Sequence, residues 1–437
     1  MRRFVVKNRR YTQKFTIAME IKRDIYIDKL LLRKGNGMIK IITGMRRSGK
    51  SYLLFKLFYG HLLNEGVSPD NIIRINLEDR YNQSLRDPDA LLDYVTAAAS
   101  DKHSTYYVLL DEIQMVREFE DVLNSFLHRD NLDVYVTGSN ARFLSKDVIT
   151  EFRGRGDEVR MHPLRFAEYV TARQDLSQAE ALRDYMLYGG LPQTATMSSD
   201  EQRREYLAAL FRQTYIMDIR QRYNIRDDSD LEEMVDILAS SIGSLVSPLR
   251  IRNTMASAKA STIAYDTVKR YIDMLEDAFI VERAVRYDIK GRRYIDTPVK
   301  LYFEDLGLRN ARLNFRQSEE SHLLENLIYN ELRIRGMAVD VGQVVVNGKD
   351  TEGHNIRSRL EVDFVCNKGF RRYYIQTALT LSSEGKMEQE CASLKRINEA
   401  FKKIIITADG LTTYQNPDGI IIMPLRDFLL NDAALDI

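Results

Sequence analysis

Residues 39–51 read Ile-Lys-Ile-Ile-Thr-Gly-Met-Arg-Arg-Ser-Gly-Lys-Ser, an apolar run that ends in a Gly-x-x-x-x-Gly-Lys-Ser loop. The segment that follows, residues 51–63, carries apolar side chains at helical spacing. Gly44 and Gly49 have no Cβ, so successive backbone N–H groups can point at one anion while the helix presents its positive N-terminal end. A strand, this loop and a helix in that order predict a phosphate-binding loop.

Two side chains of this loop have expected roles toward a nucleoside triphosphate. Lys50 is expected to neutralise the β- and γ-phosphates, and the Ser51 hydroxyl to ligate Mg²⁺. The alternative is a chance Gly-Lys pair in a surface turn, and the flanking strand and helix argue against it. The predicted nucleotide-binding residues are Gly44, Met45, Arg46, Arg47, Ser48, Gly49, Lys50, Ser51, Tyr52 and Ser139.

The composition is typical of a globular protein with two or three domains. Of the 437 residues, 44% are hydrophobic and 29% are charged, and the formal net charge is +1. This balance gives no global electrostatic argument for a nucleic acid or a membrane as a partner. The two cysteines are too few for a disulfide framework or a zinc site, which favours a cytoplasmic location. No apolar run approaches the ~20 residues that span a bilayer, so we expect no membrane partner.

Residues 1–18 are predicted to form a basic extension. Residues 1–14 carry several basic side chains and no acidic one. Two interpretations stay open, namely a disordered arm with affinity for polyanions, or residues that precede a natural start at Met19.

A pair of carboxylates ends the third predicted strand. Strands are predicted at residues 71–77 and 105–110, and the second one leads directly into Asp111 and Glu112. We expect Asp111 to hold Mg²⁺ opposite Ser51, and Glu112 to polarise the attacking water. Such a pair is common by chance, but a position about sixty residues after a phosphate-binding loop favours the catalytic interpretation.

Two further side chains are candidates for contact with the γ-phosphate. The strand 133–137 leads into Gly-Ser-Asn, and Asn140 is placed to hydrogen-bond the γ-phosphate or the lytic water, the alternative being an ordinary turn. Arg155 is a candidate for neutralising transition-state charge, in the same chain or from a neighbouring subunit, the alternative being a bond to a nearby carboxylate or solvent. The predicted catalytic residues are therefore Lys50, Glu112, Asn140 and Arg155.

The four strands predicted so far alternate with helices, which is the pattern of a parallel α/β sheet. Each strand delivers its polar residues at its C-terminal end. Since ligands bind at that edge in open α/β folds, we expect the phosphate-binding loop and the carboxylates to meet there.

The combination of motifs resembles the bacterial and archaeal AAA-type predicted ATPases, in which the C-terminal half is a domain of unknown function. The likeness covers nearly the whole chain after Met19. It implies an ATP-binding and ATP-hydrolysing core of the additional-strand P-loop class, followed by a winged helix and a restriction-endonuclease-like fold. The motifs that carry it are Gly44–Ser51, Leu110–Gln114, Thr137–Asn140, Gly154-Arg155, Pro163–Tyr169, Tyr188–Pro192 and Lys300–Gly307.

The resemblance and the helical periodicity together divide the chain into segments. Residues 182–247 are helical and charged, and they plausibly form a lid beside the nucleotide. The predicted segments are a basic extension (1–18), a P-loop AAA-type core (19–170), a helical lid-like segment (171–246), a winged-helix-like domain (247–300) and a restriction-endonuclease-like domain (301–437).

The winged-helix-like segment carries a mixed set of charges. Residues 261–275 place Val268, Tyr271, Ile272 and Leu275 on one helical face. DNA binding and protein contact stay open as its role, because acidic residues interleave with the basic ones. The basic side chains are Lys269, Arg270, Arg283, Arg286, Lys290, Arg292 and Arg293. The acidic ones are Asp266, Asp273, Glu276, Asp277, Glu282 and Asp288.

The C-terminal segment matches the nuclease fold in order but departs from its chemistry. The resemblance implies Glu325, Asp363 and Gln376 at the positions of a metal-dependent nuclease site. An active member would have Glu-x-Lys where this chain has Gln376-Thr377-Ala378, so the site is expected to be vestigial. The segment is then left to bind nucleic acid or a protein partner, and Glu361 is expected to face solvent.

The sequence as a whole predicts a cytoplasmic ATPase that uses ATP and Mg²⁺ and whose nucleotide state controls the engagement of a macromolecular partner. One alternative is a nucleotide-gated DNA-binding module with little turnover. A less favoured alternative is an ATP-dependent nuclease. Self-association into a homo-oligomer stays open.

Overall fold

The structure, a computed structural model, describes most of the chain. The described residues are 21–138, 154–226, 228–259, 262–316, 319–349 and 355–436. The predicted extension 1–18 and the candidate residues Ser139 and Asn140 lie outside them. Within the described ranges, no helix has both the length and the apolar character needed to cross a lipid bilayer.

A parallel five-stranded sheet forms the centre of the N-terminal part. Its order is β2-β3-β4-β1-β5, and every pairing in it is parallel. Because β4 lies between β1 and β3, this is the sheet of an additional-strand P-loop ATPase, and the predicted α/β class is confirmed. The strands are β1 (Ile39–Thr43), β2 (Ile72–Asn76), β3 (Tyr106–Asp111), β4 (Leu132–Thr137) and β5 (Gly156–Arg160).

The sequence analysis predicted four of these strands and missed β5. Only Val159 of its five residues is buried, because β5 is an edge strand that pairs with β1 alone. The polar side chains of Asp157, Glu158 and Arg160 left no apolar run to mark the strand.

Helices cover both faces of this sheet. On one face, Tyr26, Leu30 and Leu53 of the first two helices pack against β1 and β3. On the other face, Leu91 and Phe119 of the next two helices pack against the same sheet. Strands buried on both sides are nearly continuous apolar runs, which is why the motif strand was easy to predict. The helices are α1 (Asp24–Leu31), α2 (Lys50–Tyr52, a π-helical turn Leu53–Phe58, then Tyr59–Asn64), α3 (Pro88–Ala98) and α4 (Phe119–Leu127).

The segment after the sheet is helical, in line with its periodicity. The helix that follows Ser177 begins with a capping box, since the Glu180 backbone N–H donates to the Ser177 hydroxyl and the Ser177 N–H donates to the Glu180 carboxylate. The helices are α5 (Phe166–Ala172), α6 (Gln178–Tyr188), α7 (Pro192–Thr196), α8 (Asp200–Leu210, a π-helical turn Phe211–Ile216, then Met217–Arg222) and α9 (Ser229–Ser240).

The remaining residues build a nine-stranded mixed sheet with its own helices. The strand order is β13-β14-β12-β11-β10-β9-β7-β8-β6. The strands are β6 (Leu245–Val246), β7 (Val281–Asp288), β8 (Arg293–Phe303), β9 (Ala338–Lys349), β10 (Asn355–Lys368), β11 (Arg371–Ala378), β12 (Lys402–Thr407), β13 (Tyr414–Gln415) and β14 (Ile421–Pro424). The helices are α10 (Pro248–Lys259), α11 (Tyr265–Asp277), α12 (Leu306–Arg312), α13 (Glu320–Ile334), α14 (Glu384–Lys395) and α15 (Leu425–Leu430).

One strand runs across the predicted boundary between residues 300 and 301. β8 covers Arg293–Phe303, and its hairpin partner β7 also pairs in parallel with β9. The β7–β8 hairpin is therefore part of the nine-stranded sheet. The residues predicted as winged-helix-like and those predicted as restriction-endonuclease-like share that sheet.

Candidate nucleotide-binding site

Two glycines fix the course of the loop between β1 and α2. Gly44 has a φ of +132°, and a Cβ at this position would lie 2.0 Å from the carbonyl oxygen of Met161. Gly49 has a φ of +100°, a conformation that side-chain-bearing residues rarely adopt. The first glycine is thus required by contact with a neighbouring backbone, and the second by its own backbone conformation.

Lys50 begins α2 and points its ammonium group back over the loop. Its side chain is buried, and Nζ donates to the carbonyl oxygens of Gly44 and Met45 at 2.9 Å each. Burial lowers the pKa of Lys50 to about 8, while the negative charges of Glu112 and Asp111 act in the opposite direction. Within the described residues, the hydrogen-bond partners of the ammonium group are backbone carbonyls, which phosphate oxygens can replace.

The loop also contains a buried polar atom without a partner. The hydroxyl of Ser48 is fully enclosed, and within the described ranges it makes no hydrogen bond. A buried hydroxyl normally finds a partner, because leaving it unpaired is costly. Together with the loop amides and Lys50, this hydroxyl fits a ligand rich in acceptor oxygens.

The two residues predicted to hold Mg²⁺ meet at the C-terminal edge of the sheet. The Ser51 hydroxyl lies within reach of the carboxylate of Asp111, which ends β3, and favours its charged form. Burial raises the pKa of Asp111, and the hydrogen bonds from Thr137 and Ser51 oppose that shift. A hydroxyl and a carboxylate in contact supply two of the oxygen ligands that Mg²⁺ prefers, so these residues fit the ion.

Thr137 links the two carboxylate residues to β4. Its hydroxyl donates to Asp111 at 2.6 Å and accepts the backbone N–H of Glu112 at 2.9 Å. The Glu112 side chain in turn accepts a hydrogen bond from the Gln114 amide. The sequence analysis quoted Thr137 and Gln114 within motifs but gave neither a role. The structure makes them positioning groups for the predicted metal ligand and the predicted base.

Arg155 lies at the opposite end of the strands from the phosphate-binding loop. β1 and β5 run in parallel with Ile39 beside Gly156 and Thr43 beside Arg160. Arg155 therefore adjoins the start of β1, whereas the phosphate-binding loop follows its end, about 13 Å away at 3.3 Å per residue. Of the two alternatives left open for Arg155, a role in its own chain is not supported by this position, which follows from the direction of the unpredicted strand β5. A role in trans stays a prediction.

The helical segment closes over the loop. The Arg46 guanidinium contacts Asp218 of α8 at 2.8 Å, and the Tyr215 hydroxyl donates to the Arg46 carbonyl oxygen at 2.7 Å. Asp218 also pairs with Arg222 at 2.7 Å. On the other side, the Pro192 ring of α7 lies within contact range of a Cβ placed on Gly49. The predicted lid-like segment thus touches the loop that it was expected to cover.

A buried polar junction joins the end of β5 to the C-terminal sheet. His162 Nδ1 and Arg160 Nη2 contact the two oxygens of the Glu304 carboxylate, which follows β8. The neighbouring carboxylate, Asp305, accepts the backbone N–H of Gly190 at 2.7 Å. Burial raises the pKa of Asp305 to about 6. Since His162 follows Met161, which packs on Gly44, the junction begins next to the loop.

One of the three positions of the expected vestigial nuclease site, Glu325, pairs with a cation from elsewhere in the chain. Lys300 of β8 is buried and lies 2.8 Å from Glu325 and 2.7 Å from Glu361. The Tyr302 hydroxyl also donates to Glu325 at 2.5 Å. Glu361 is thus paired with Lys300 while remaining partly exposed. Burial by itself would lower the pKa of Lys300, but the surrounding carboxylates raise it overall.

Asp363, a further carboxylate of this cluster, accepts three hydrogen bonds. Asp363 accepts the backbone N–H and the hydroxyl of Thr377 at 2.8 and 2.7 Å, and the Gln376 amide lies 3.3 Å away. Burial and the proximity of Glu325 raise the pKa of Asp363 to about 7. In the described part of the chain, no three acidic, histidine or cysteine side chains form a set that could hold a metal ion. These residues do not fit a divalent cation, because the Lys300 ammonium already supplies the positive charge.

Comparison with protein-family models gives two matches. The AAA domain matches residues 36–170, which include β1 to β5 and the loop. A domain of unknown function (DUF8612) matches residues 179–319.

Relatives of the whole chain are bacterial and archaeal. An uncharacterized protein of Haemophilus influenzae is 31% identical over 414 residues, which cover 94% of this chain and 98% of the relative. An uncharacterized protein of Methanocaldococcus jannaschii is 27% identical over 395 residues, which cover 87% of this chain and 82% of the relative.

Solved structures are similar at a lower level. The Aeropyrum pernix Orc1 protein in complex with DNA aligns with a TM-score of 0.28 and 13% identity, over 71% of this chain and 95% of that chain. A likeness of that size carries no argument about the site. The near-complete match to the Haemophilus influenzae relative, together with the AAA domain, shows that this chain belongs to a bacterial and archaeal family of AAA-type ATPase-fold proteins that carry a domain of unknown function.

Proposed function

We propose that the protein is a Mg²⁺-dependent ATPase whose nucleotide state controls how its C-terminal part engages a macromolecular partner. The observation that supports this best is the proximity of Ser51 and Asp111, next to the buried ammonium of Lys50. Lys50 and Ser51 lie at the start of α2 and Asp111 ends β3, yet they meet at one end of an amide-lined loop. A hydroxyl, a carboxylate and an ammonium group in that arrangement are what Mg²⁺ and a triphosphate require.

Each residue of the site has a task in hydrolysis. Lys50 would exchange its carbonyl partners for phosphate oxygens, and Ser51 and Asp111 would hold Mg²⁺, which would supply positive charge against the phosphates. Glu112 accepts the proton of the attacking water, and the amide of Gln114 orients its carboxylate. Thr137 holds Asp111 and Glu112 in position through the two hydrogen bonds of its hydroxyl.

Two contacts offer routes from the loop to the rest of the molecule. Arg46 connects the loop to α8 through Asp218. Met161 connects it to Glu304 through the adjacent His162. A change in loop position on nucleotide binding is therefore expected to reach both the helical segment and the C-terminal sheet. Hydrogen exchange of the β7 and β8 amides with ATP and with ADP tests this link, and identical exchange in the two states would disprove it.

Steady-state hydrolysis of ATP by the full chain tests the enzymatic proposal. We expect Lys50→Ala to lose ATP binding and turnover together, because it removes the principal charge for the phosphates. We expect Glu112→Gln to bind ATP nearly as well as the native protein but to turn over about 10²–10⁴-fold more slowly. Hydrolysis that persists undiminished in both variants would overturn the proposal.

A matched control is available on the same helix. Lys56 is an exposed lysine of α2, so Lys56→Ala tests the effect of removing a positive charge without touching the loop. It is expected to hydrolyse ATP at the native rate. Native protein that binds ATP in a Lys50-dependent way but never hydrolyses it would instead support a nucleotide-gated binding module.

A further inference from the structure

The turn between β7 and β8 lines two open clefts. Close to this turn, α14 packs on the sheet in a cluster that contains Leu394 and Tyr287. One cleft, of about 860 Å³, lies between the turn, β9 and Arg396 at the end of α14. The other, of about 510 Å³, lies between the turn, the β10–β11 turn and Phe401. The two clefts thus flank one exposed turn.

Both clefts carry a local excess of positive charge. Their linings contain six basic and two acidic side chains, whereas the whole chain has 64 basic and 63 acidic residues. Clefts with low-dielectric walls concentrate the field of such groups and attract polyanions. The basic side chains are Lys290, Arg292, Arg293, Arg371, Arg372 and Arg396.

The two acidic side chains are engaged with other groups. Asp288 is almost fully buried and accepts the backbone N–H of Gly291 at 2.9 Å. Glu399 accepts a hydrogen bond from the Tyr374 hydroxyl and lies 3.6 Å from Arg372. Both carboxylates therefore interact with neighbouring groups of the protein. They offset only part of the positive potential at the cleft openings.

Several of the basic groups are left with free hydrogen-bond donors. The side chain of Arg293 is 73% exposed and approaches an acid only at 3.8 Å. Within the part of the chain that the structure describes, Arg292 and Arg396 form no ion pair and are exposed. Guanidinium groups with open donors are well suited to phosphate oxygens, which they can bind through two parallel hydrogen bonds.

Aromatic rings accompany these charges. The Arg372 guanidinium lies between the rings of Tyr287 and Phe401, 5.5 and 5.6 Å from their centroids, and donates to Asn367 at 2.8 Å. Phe370, at the tip of the β10–β11 turn, leaves its entire ring exposed to solvent. Fixed cations beside an exposed aromatic ring are the combination that binds the backbone and stacks on the bases of a single strand.

We propose that this surface binds a nucleic-acid strand, with the guanidinium groups on its phosphates and the ring of Phe370 against a base. A lipid surface fits less well, because the cations line concave clefts and, at the two described turns, Phe370 is the one large apolar side chain at a tip. Since none of these residues lies at the phosphate-binding loop, the proposal does not depend on ATP hydrolysis.

The test measures binding of the full chain to a fluorescently labelled single-stranded oligonucleotide by anisotropy. The variant Arg292→Glu/Arg293→Glu reverses two charges at the turn. The control Lys56→Glu/Lys102→Glu makes the same change of net charge at exposed lysines of the ATPase core. We expect the turn variant to bind at least about tenfold more weakly than the control, with a salt dependence shallower by about 0.7 for each lost phosphate contact.

A second variant separates stacking from charge. Phe370→Ala is expected to weaken binding of the single strand at least about fivefold, and to affect a duplex of the same sequence less. Both variants should hydrolyse ATP at the native basal rate, which keeps this test independent of the enzymatic proposal. Oligonucleotide affinity that is absent, or equal in the turn variant and the control, would overturn the inference. So would binding to phosphatidylserine vesicles alone, lost in the same variants.

Discussion

The Nδ1 atom of His162 lies 2.5 Å from one carboxylate oxygen of Glu304, and Nη2 of Arg160 lies 2.8 Å from the other. The carboxylate is almost fully buried between the ATPase core and the C-terminal sheet. His162 directly follows Met161, which touches the first glycine of the phosphate-binding loop. This contact is therefore both a source of stability and a physical link between the two parts of the molecule.

The first prediction concerns the acid stability of this junction. Burial alone would raise the pKa of Glu304, but the charges of Arg160 and His162 lower it to about 2 from its ordinary value of 4.5. Folding thus favours the ionised carboxylate, whose contribution to stability is fully present above pH 4.5. That contribution is lost as the pH falls from 4.5 toward 2.

The measurement compares the native protein with Glu304→Gln. We expect the difference in their free energies of urea unfolding to be largest near neutral pH and to shrink steadily below about pH 4.5. A difference that stays the same from neutral pH down to about pH 2 would show that the charge of Glu304 is not what the junction uses.

The second prediction separates two glycines that share a positive φ. Gly35 has a φ of +67°, and a Cβ added to it would have no other atom within 4 Å, whereas a Cβ on Gly44 would collide with the Met161 backbone. Gly35→Ala is expected to cost about 1–2 kcal/mol of unfolding free energy from backbone strain alone. Gly44→Ala is expected to cost more and to abolish ATP binding, as measured by calorimetry. Equal ATP affinity in the two variants would contradict this.

The candidate nucleotide-binding site could be predicted largely because its residues lie in continuous stretches of sequence or at strand ends whose place follows from strand direction. The strand, loop and helix around Lys50 are one continuous stretch, and the apolar run before Asp111 identified its strand. Once all strands of a sheet run in parallel, their C-terminal ends share one edge. The contact between Ser51 and Asp111 follows from that geometry without any knowledge of side-chain packing.

The errors and omissions concern residues whose positions depend on contacts between distant parts of the chain. Arg155 was a candidate for contact with the γ-phosphate. Its position depends on β5, which the sequence analysis missed because most side chains of that strand are polar. Lys300 lies far in sequence from both Glu325 and Glu361, and no periodicity connects the three residues. Their meeting depends on the register of β8 and β10 within the large sheet, which local sequence patterns do not determine.

The third prediction concerns the buried Lys300. Lys300→Met leaves Glu325 buried without its cation, so we expect the free energy of unfolding to fall by about 3–5 kcal/mol. Lys386→Met is a matched control, since Lys386 pairs with Glu390 at 2.8 Å on the surface. That change is expected to cost about 0.5 kcal/mol or less. Similar losses in the two variants would contradict a buried charge cluster.

The same cluster predicts the response to metal. Without nucleotide, Mn²⁺ is not expected to stabilise the native protein through Asp363, because the Lys300 ammonium already neutralises the cluster. Thermal unfolding with and without Mn²⁺ checks this. Stabilisation by Mn²⁺ that disappears in Asp363→Asn would show that these residues hold a metal after all.

The last prediction concerns Thr137, whose hydroxyl donates to Asp111 and accepts the backbone N–H of Glu112. Thr137→Val keeps the shape of the side chain but removes both hydrogen bonds, so the carboxylates lose their common support. We expect kcat for ATP hydrolysis to fall about 10–100-fold, as is usual for groups that orient metal ligands, while KM for ATP changes far less. Thr137→Ser retains the hydroxyl and is expected to recover most of the rate. If the serine variant were as slow as the valine variant, packing of the methyl group rather than hydrogen bonding would be the role of Thr137.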